Sequence, residues 1–146
     1  MFKKIQTLAK AKIMKISFFL FIFTTVLMSF AHSEIVSFDQ LVHRNGTWYK
    51  KFSTTPFTGM TTGIEECTHQ NGNKIGLCIR YHPNGQLESQ GMYNNKGRME
   101  GFWEFYFDNG QLMTKGIQSN GRFSGEWIWY NKDGSLNKKT SFDSSK

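Results

Sequence analysis

One phrase stated three times constrains this chain more than any other feature. Gly101-Phe102-Trp103-Glu104-Phe105-Tyr106-Phe107-Asp108-Asn109-Gly110-Gln111-Leu112 returns as Gly125-Glu126-Trp127-Ile128-Trp129-Tyr130-Asn131-Lys132-Asp133-Gly134-Ser135-Leu136. A weaker copy runs from Gly76 to Leu87, and the steps between copies are 25 and 24 residues. Aligned, the copies give fixed columns: Gly76, Gly101 and Gly125; Cys78, Trp103 and Trp127; Tyr81, Tyr106 and Tyr130; Gly85, Gly110 and Gly134; Leu87, Leu112 and Leu136. Self-similarity at such a period means one supersecondary unit stacked on its neighbours.

Each unit reads as a β-hairpin. Its first arm is rich in aromatics, which suit a pleated, half-buried surface, and its turn is Asn-Gly or Asp-Gly, residues that tolerate positive φ. The second arm starts at the Leu column and carries Tyr93, Gln118 and Phe142 six residues on. A second turn closes the unit, Asn94-Asn95-Lys96-Gly97 and then Ser119-Asn120-Gly121, and its loss of one residue accounts for the shorter step. Trp103, Phe105 and Phe107 alternate with Phe102, Glu104 and Tyr106, so both faces of that strand carry rings. No apolar period near 3.6 survives the recurrent turn residues, which argues against helix. Regular aromatic columns are what stacking requires, and they read as core before they read as a ligand row.

The phrase Gly-x-Trp-x-x-Tyr followed by Asn-Gly or Asp-Gly and Leu resembles the variant MORN repeat. Together with Leu41-Val42-His43-Arg44-Asn45-Gly46-Thr47-Trp48-Tyr49 and Pro56-Phe57-Thr58-Gly59 it is similar to the YwqK-type antitoxin-like proteins of bacteria. The resemblance implies an all-β fold, a single-layer twisted antiparallel sheet of successive MORN-like hairpins, used as a binding or scaffold module without catalytic residues. Its antitoxin label implies the cytoplasm, which the start of the chain contradicts.

Residues 1–33 hold Lys3, Lys4, Lys10, Lys12 and Lys15, no acid, the apolar run from Ile16 to Phe30, and then Ala31-His32-Ser33. A positive n-region, a short h-region and small residues before a cut describe a secretory signal peptide, with cleavage after Ala31 or Ser33. Met14-Lys15 would itself begin a compact signal, so 14–33 is the alternative leader behind an over-extended start. The apolar run is short of the roughly 20 residues of a membrane span, and membrane attachment is expected only through an uncleaved leader. The rest, 34–146, is one β-hairpin repeat domain ending in a polar tail expected to fray. Within it Glu34–Gln40 is a short opening segment, Asn45-Gly46 a first hairpin turn, Phe57 the start of a strand, and Gly59–Gly76 a divergent hairpin turning near Asn71-Gly72.

The whole chain is +7, but the leader supplies five of 18 basic groups and none of 11 acids, which leaves the remainder at +2. Nucleic acid is therefore not an expected partner. Two cysteines in an exported chain, Cys67 and Cys78, are expected to form a disulfide, with two buried thiols as the alternative. If Asn71-Gly72 is a two-residue turn, Cys67 faces Gly76 and Cys78 lies diagonally; if the loop is Asn71 to Lys74, the cysteines are directly opposite. Both registers keep them on one face. Cys67, His69 and Cys78 are the only subset a metal could gather, since His82 lies too far along the partner strand; no metal or cofactor is expected.

No nucleophile elbow, His-Glu-x-x-His, phosphate loop or Cys-x-x-Cys is present, so no catalytic residue is assigned. Glu65 and Glu66 point to opposite faces of a strand and cannot form an acid–base pair, and Glu104 and Glu126 occupy different columns. His43 and His82 sit beside turns as solvated loop residues. The reading is an exported, non-enzymatic repeat module, periplasmic or extracellular, that binds another protein through Arg80, Arg98, Arg122 and Trp129. A terminal sheet edge could also pair with a second copy. Neutralisation of a toxin, as an antitoxin or immunity-like protein, is the alternative, and a sugar- or lipid-binding row of Trp103, Trp127 and Trp129 is a third.

Overall fold

The computed structural model describes residues 33–143. The leader and the last three residues lie outside them, so neither the signal peptide nor the end of the tail is described. Eleven strands follow in order: β1 (Glu34–Ser37), a 3-10 turn (Phe38–Gln40), β2 (Leu41–Arg44), β3 (Thr47–Lys50), β4 (Gly59–Thr62), β5 (Glu65–Gln70), β6 (Asn73–Tyr81), β7 (Leu87–Tyr93), β8 (Met99–Tyr106), β9 (Leu112–Ser119), β10 (Arg122–Tyr130) and β11 (Leu136–Phe142). Nine of them make one sheet in the order β1-β4-β5-β6-β7-β8-β9-β10-β11, and β2 and β3 form a separate hairpin.

The sheet is antiparallel from β4 onward, as the hairpin repeats require. One expectation needs correcting and two are refined. The opening segment contributes a strand: β1 adds to the sheet parallel to β4, with Ile35 opposite Met60. Phe57 is not the start of a strand; it lies in the loop before β4 and buries its ring with Val36 and Leu41, against which Trp48 packs. The sheet is also not single-layered throughout, because the β2–β3 hairpin is tied to the β5–β6 turn by Trp48 N–H to Gly72 O and Gly72 N–H to Phe57 O. At the other end the polar segment after Leu136 is ordered as β11 up to Phe142.

Two turn chemistries occur. At Asn45-Gly46, Asn71-Gly72 and Asn120-Gly121 both residues have positive φ, the tight form anticipated for Asn-Gly. Gly85, Gly110 and Gly134 also have positive φ, but the residues before them do not. Those turns close with an i to i+3 bond (Gly85 N–H to His82 O, 2.8 Å) and a glycine in the left-handed region. Asn84 and Asn109 accept from Gln86 N–H and Gln111 N–H, both at 3.1 Å, within their own turns. Their amides reach the next repeat, donating to Asp108 O at 2.6 Å and Lys132 O at 2.9 Å. Asp133, in the last copy, accepts from Ser135 N–H but has no amide to extend.

The glycine at the head of each repeat makes a β-bulge. Gly76, Gly101 and Gly125 have φ of 67°, 74° and 64°, and the register of the preceding pair slips beside each. A second slip recurs at the Tyr column, beside Tyr81, Tyr106 and Tyr130. The first bulge lets the tryptophan two residues later lean back over the preceding strand. Trp103 lies on Gly91 and donates its Nε1–H to Met92 O (3.1 Å); Trp127 lies on Gly116 and donates to Ile117 O (2.8 Å). Both indoles are sealed, at 2% and 0% exposure. Tyr93, Trp103, Phe105, Trp127 and Trp129 continue as a ribbon of rings with centroids 5.2–6.5 Å apart.

In the first repeat Cys67 holds the glycine place and Cys78 the tryptophan place. The two are directly opposite and disulfide-bonded, Cα to Cα 4.4 Å. The two-residue turn at Asn71-Gly72 is present as well, and the bulge at Gly76 converts its diagonal register into a direct one.

A Cβ built on Gly91 would lie 2.2 Å from Trp103 Cδ2, so Gly91→Ala must displace the indole. The expected cost is about 2–3 kcal/mol of unfolding free energy by urea denaturation. Thr140→Gly, at the same column in the last strand where no further tryptophan follows, is expected to cost less than about 1 kcal/mol.

Candidate functional site

The buried polar groups gather where the β2–β3 hairpin covers β5 and β6. On β5 the alternation sends Glu65, Cys67 and His69 inward and leaves Glu66 exposed, so the two glutamates do face opposite ways. Glu65, 1% exposed, is held by Lys74 Nζ at 2.6 Å and Arg80 Nη1 at 3.1 Å, and Arg80 Nε also reaches Glu88 at 3.1 Å. Lys74 Nζ sits among the rings of Trp48, Tyr93 and Phe38 at 5.2, 5.7 and 5.9 Å. Removing either cation would leave this buried acid short of a partner. Burial, with Glu65 nearby, pushes the Tyr93 phenol up to about 12.

The carboxylate is consumed by two cations, and the sulfurs of Cys67 and Cys78 are bonded to each other. Glu65 and the two sulfurs do lie within 4.8 Å, but the disulfide and the adjoining Lys74 and Arg80 oppose a cation there. Arg80, expected on a contact surface, keeps a partly exposed side chain and also pairs with Glu65 and Glu88, with the Phe38 ring 5.7 Å away.

His69, read from the sequence only as a member of a possible metal subset, is 1% exposed and lies between the rings of Phe57 (5.5 Å) and Trp48 (6.1 Å), a burial that the sequence did not signal. Neither ring nitrogen has a hydrogen-bond partner. Burial, reinforced by the Lys74 charge and only partly offset by Glu65 and the Cys67 backbone, lowers its pKa to about 4.

The second-turn edge of the sheet is different in character. Lys96 and Arg98 of one turn and Ser119, Asn120 and Arg122 of the next line an open groove of about 390 Å³, with the half-exposed Phe123 and the carboxylate of Asp143 on its wall. Glu100, the nearest acid on the strands, is already engaged by Asn94 Nδ2 (3.3 Å) and Asn120 N–H (2.8 Å). Of the four residues expected to form a contact surface, Arg98 and Arg122 therefore come together. Trp129 belongs to the aromatic ribbon, with Lys138 Nζ 4.6 Å from its ring centroid. The burial of Trp103 and Trp127 removes the reading of those rings as a sugar- or lipid-binding row. His82, half-buried rather than solvated, bonds Tyr106 O through Nε2 at 2.9 Å, and Glu104 is taken up by Gln90 and Tyr106 at 2.8 and 3.1 Å.

The sign of the His69 effect follows from its lowered value. The unfolded chain takes up the proton below about pH 6.5 and the folded one only below about 4, so stability falls as the pH drops through that interval. The loss amounts to at most about 3 kcal/mol. Urea midpoints between pH 7.5 and 4 are expected to show it, and His69→Leu is expected to flatten the curve.

With this geometry in place, the comparisons with known proteins can be stated. No curated protein and no solved structure matches the chain. The family model of the MORN repeat variant matches residues 74–95, 99–119 and 123–144, which are β6–β7, β8–β9 and β10–β11 with their turns. The chain carries three consecutive copies of the MORN repeat variant, each a β-hairpin of one continuous sheet.

Proposed function

We propose that this protein is a non-enzymatic binding module that holds another protein at the second-turn edge of its repeat sheet. The carrying observation is the groove between the turns, where Lys96, Arg98 and Arg122 from successive repeats surround a half-exposed aromatic, Phe123. Arginines beside an aromatic are the residue types that dominate protein interfaces. The excess of cations over the single Asp143 suits an acidic segment of the partner. A sheet whose hairpins are locked by indole–glycine contacts and a disulfide displays such an edge rigidly, which lowers the ordering cost of binding.

The same reading places the protein outside the cytoplasm, in the periplasm or beyond. A buried disulfide in the position of a core tryptophan supports an oxidising destination, and the lysine-rich, apolar leader supports export. A toxin is one class of protein such an edge could hold, and the identity of a co-purified partner decides that narrower function.

Lys96→Glu with Arg98→Glu tests the edge. Both side chains are exposed and neither forms an ion pair among the described residues, so the melting temperature is expected to hold within about 2 °C. Capture of the partner from the host's envelope fraction is expected to be lost. Capture that survives the double reversal would sink the edge as the binding surface.

A further inference from the structure

The face opposite the tryptophans is not polar. Strand alternation and register bring Leu77 beside Met92, and Phe102 beside Ile117, two apolar pairs on one face of β6 to β9, with Glu100 as the direct partner of Met92 on β8 and Phe102 in the bulge beside it. Ile35 and Met60 pair in the same way on β1 and β4. The four central side chains are 56%, 47%, 51% and 42% exposed. Single exposed apolar residues are ordinary, but a row of such pairs on consecutive strands marks a surface that another surface covers. The row stops in the last repeat, where Glu126 holds the column of Leu77 and Phe102.

Beside it runs a second row with a charge gradient. It begins with Glu66 on β5, passes through Ile79, Gln90 and Glu104, and reaches Lys115 on β9. Neither Glu66 nor Lys115 is in an ion pair among the described residues. An acid at one end of a row and a base at the other make a face that complements a copy of itself turned around.

We propose that two copies of this chain associate through this face, back to back, about a two-fold axis running along β7. Rotation about that axis keeps each residue's position along its strand and reverses the strand order. Apolar row therefore meets apolar row. Leu77 comes over the partner's Phe102, Met92 over its own counterpart, and Glu66 over the partner's Lys115. The arrangement is isologous, so every such contact occurs twice. It is the aligned packing of two sheets about 10 Å apart that β-sandwiches use internally.

Charge selects this axis over its neighbour. An axis along β8 would set Glu104 against its own counterpart and Leu77 against Glu126, whereas an axis along β7 puts the uncharged Gln90 at the centre and moves Glu104 over the partner's Ile79, with no like charges opposed in that row. Edge pairing is the poorer route to a dimer, because two β11 strands running antiparallel about their middle would oppose Lys138 and Lys139. Back-to-back association leaves the groove of each copy open, with both at the same end.

Sedimentation equilibrium of the purified chain tests this, with far-UV circular dichroism as the control for folding. A monomer–dimer equilibrium is expected, weakened at least about tenfold by Phe102→Asp or Leu77→Asp, since both side chains are exposed at the centre of the face. Glu66→Lys and Lys115→Glu are each expected to weaken it, and the double charge swap to restore it to within about threefold. A chain that stays monomeric at every concentration overturns the proposal. So does a dimer that ignores Phe102→Asp, which would belong to an edge or to the leader. A folded double swap no tighter than the single variants overturns the axis along β7.

Discussion

The contact between an indole and the bare backbone of a glycine on the preceding strand is what the rest of this structure depends on. For Trp103 to lie on Gly91, the strand that carries it must bulge, and the left-handed Gly101 makes the bulge. The indole then gives its one donor to the carbonyl beside the bulge, so the ring is buried without an orphaned polar atom. Three residues from two strands thus form one unit, and the same three recur as Gly116, Gly125 and Trp127. Where the first repeat lacks the tryptophan, the Cys67–Cys78 bond occupies both places. A link closing an 11-residue separation stabilises by about 3 kcal/mol on the loop-entropy account, the same order as a buried ring.

This contact also explains how a sheet this long keeps a dry face with no second layer over most of it. Rings leaning along the sheet cover one another, which seals Trp103 and Trp127 against the flanking Tyr93, Phe105, Phe123 and Trp129. Only the first repeat, with its disulfide in place of an indole, requires a lid, and the β2–β3 hairpin supplies it through Trp48. The lid has a chemical consequence. It encloses the carboxylate of Glu65, most of Lys74 and the ring of His69.

What the sequence made legible was whatever repeats. The hairpin order and the Gly, Trp and Tyr columns come from three copies in register, the pairing of Cys67 with Cys78 from the hairpin that turns at Asn71-Gly72, and each stands in the structure. Gly91 and Gly116 were legible too, four residues after Leu87 and Leu112, but only as a pair, since Thr140 takes the place in the last copy. The parts that were not legible depend on segments that occur once. Four residues, Glu34–Ser37, carry no signal for parallel or antiparallel pairing. The burial of His69 and Glu65 is decided by where a remote hairpin folds back. The Asn-Gly of the first-turn ladder was read as a tight turn, although the same dipeptide also serves a turn closed by a left-handed glycine.

The last repeat shows why the array has a finite surface. Each device that joins one repeat to the next is missing its outward half there. Asp133 replaces the asparagine whose amide reaches forward, Thr140 replaces the glycine that would receive an indole, and Glu126 ends the apolar row. Lys138 and Lys139 put charge on both faces of the outer strand, which discourages strand addition. Since the apolar row ends at β9 while the sheet goes on to β11, the middle of any self-complementary face lies on the N-terminal side of the repeat array's own centre. A two-fold axis along β7 is where Leu77 and Phe102, the two flanking apolar side chains, can meet each other across two copies, with Glu126 of β10 carried out to the partner's β4 instead of against Leu77.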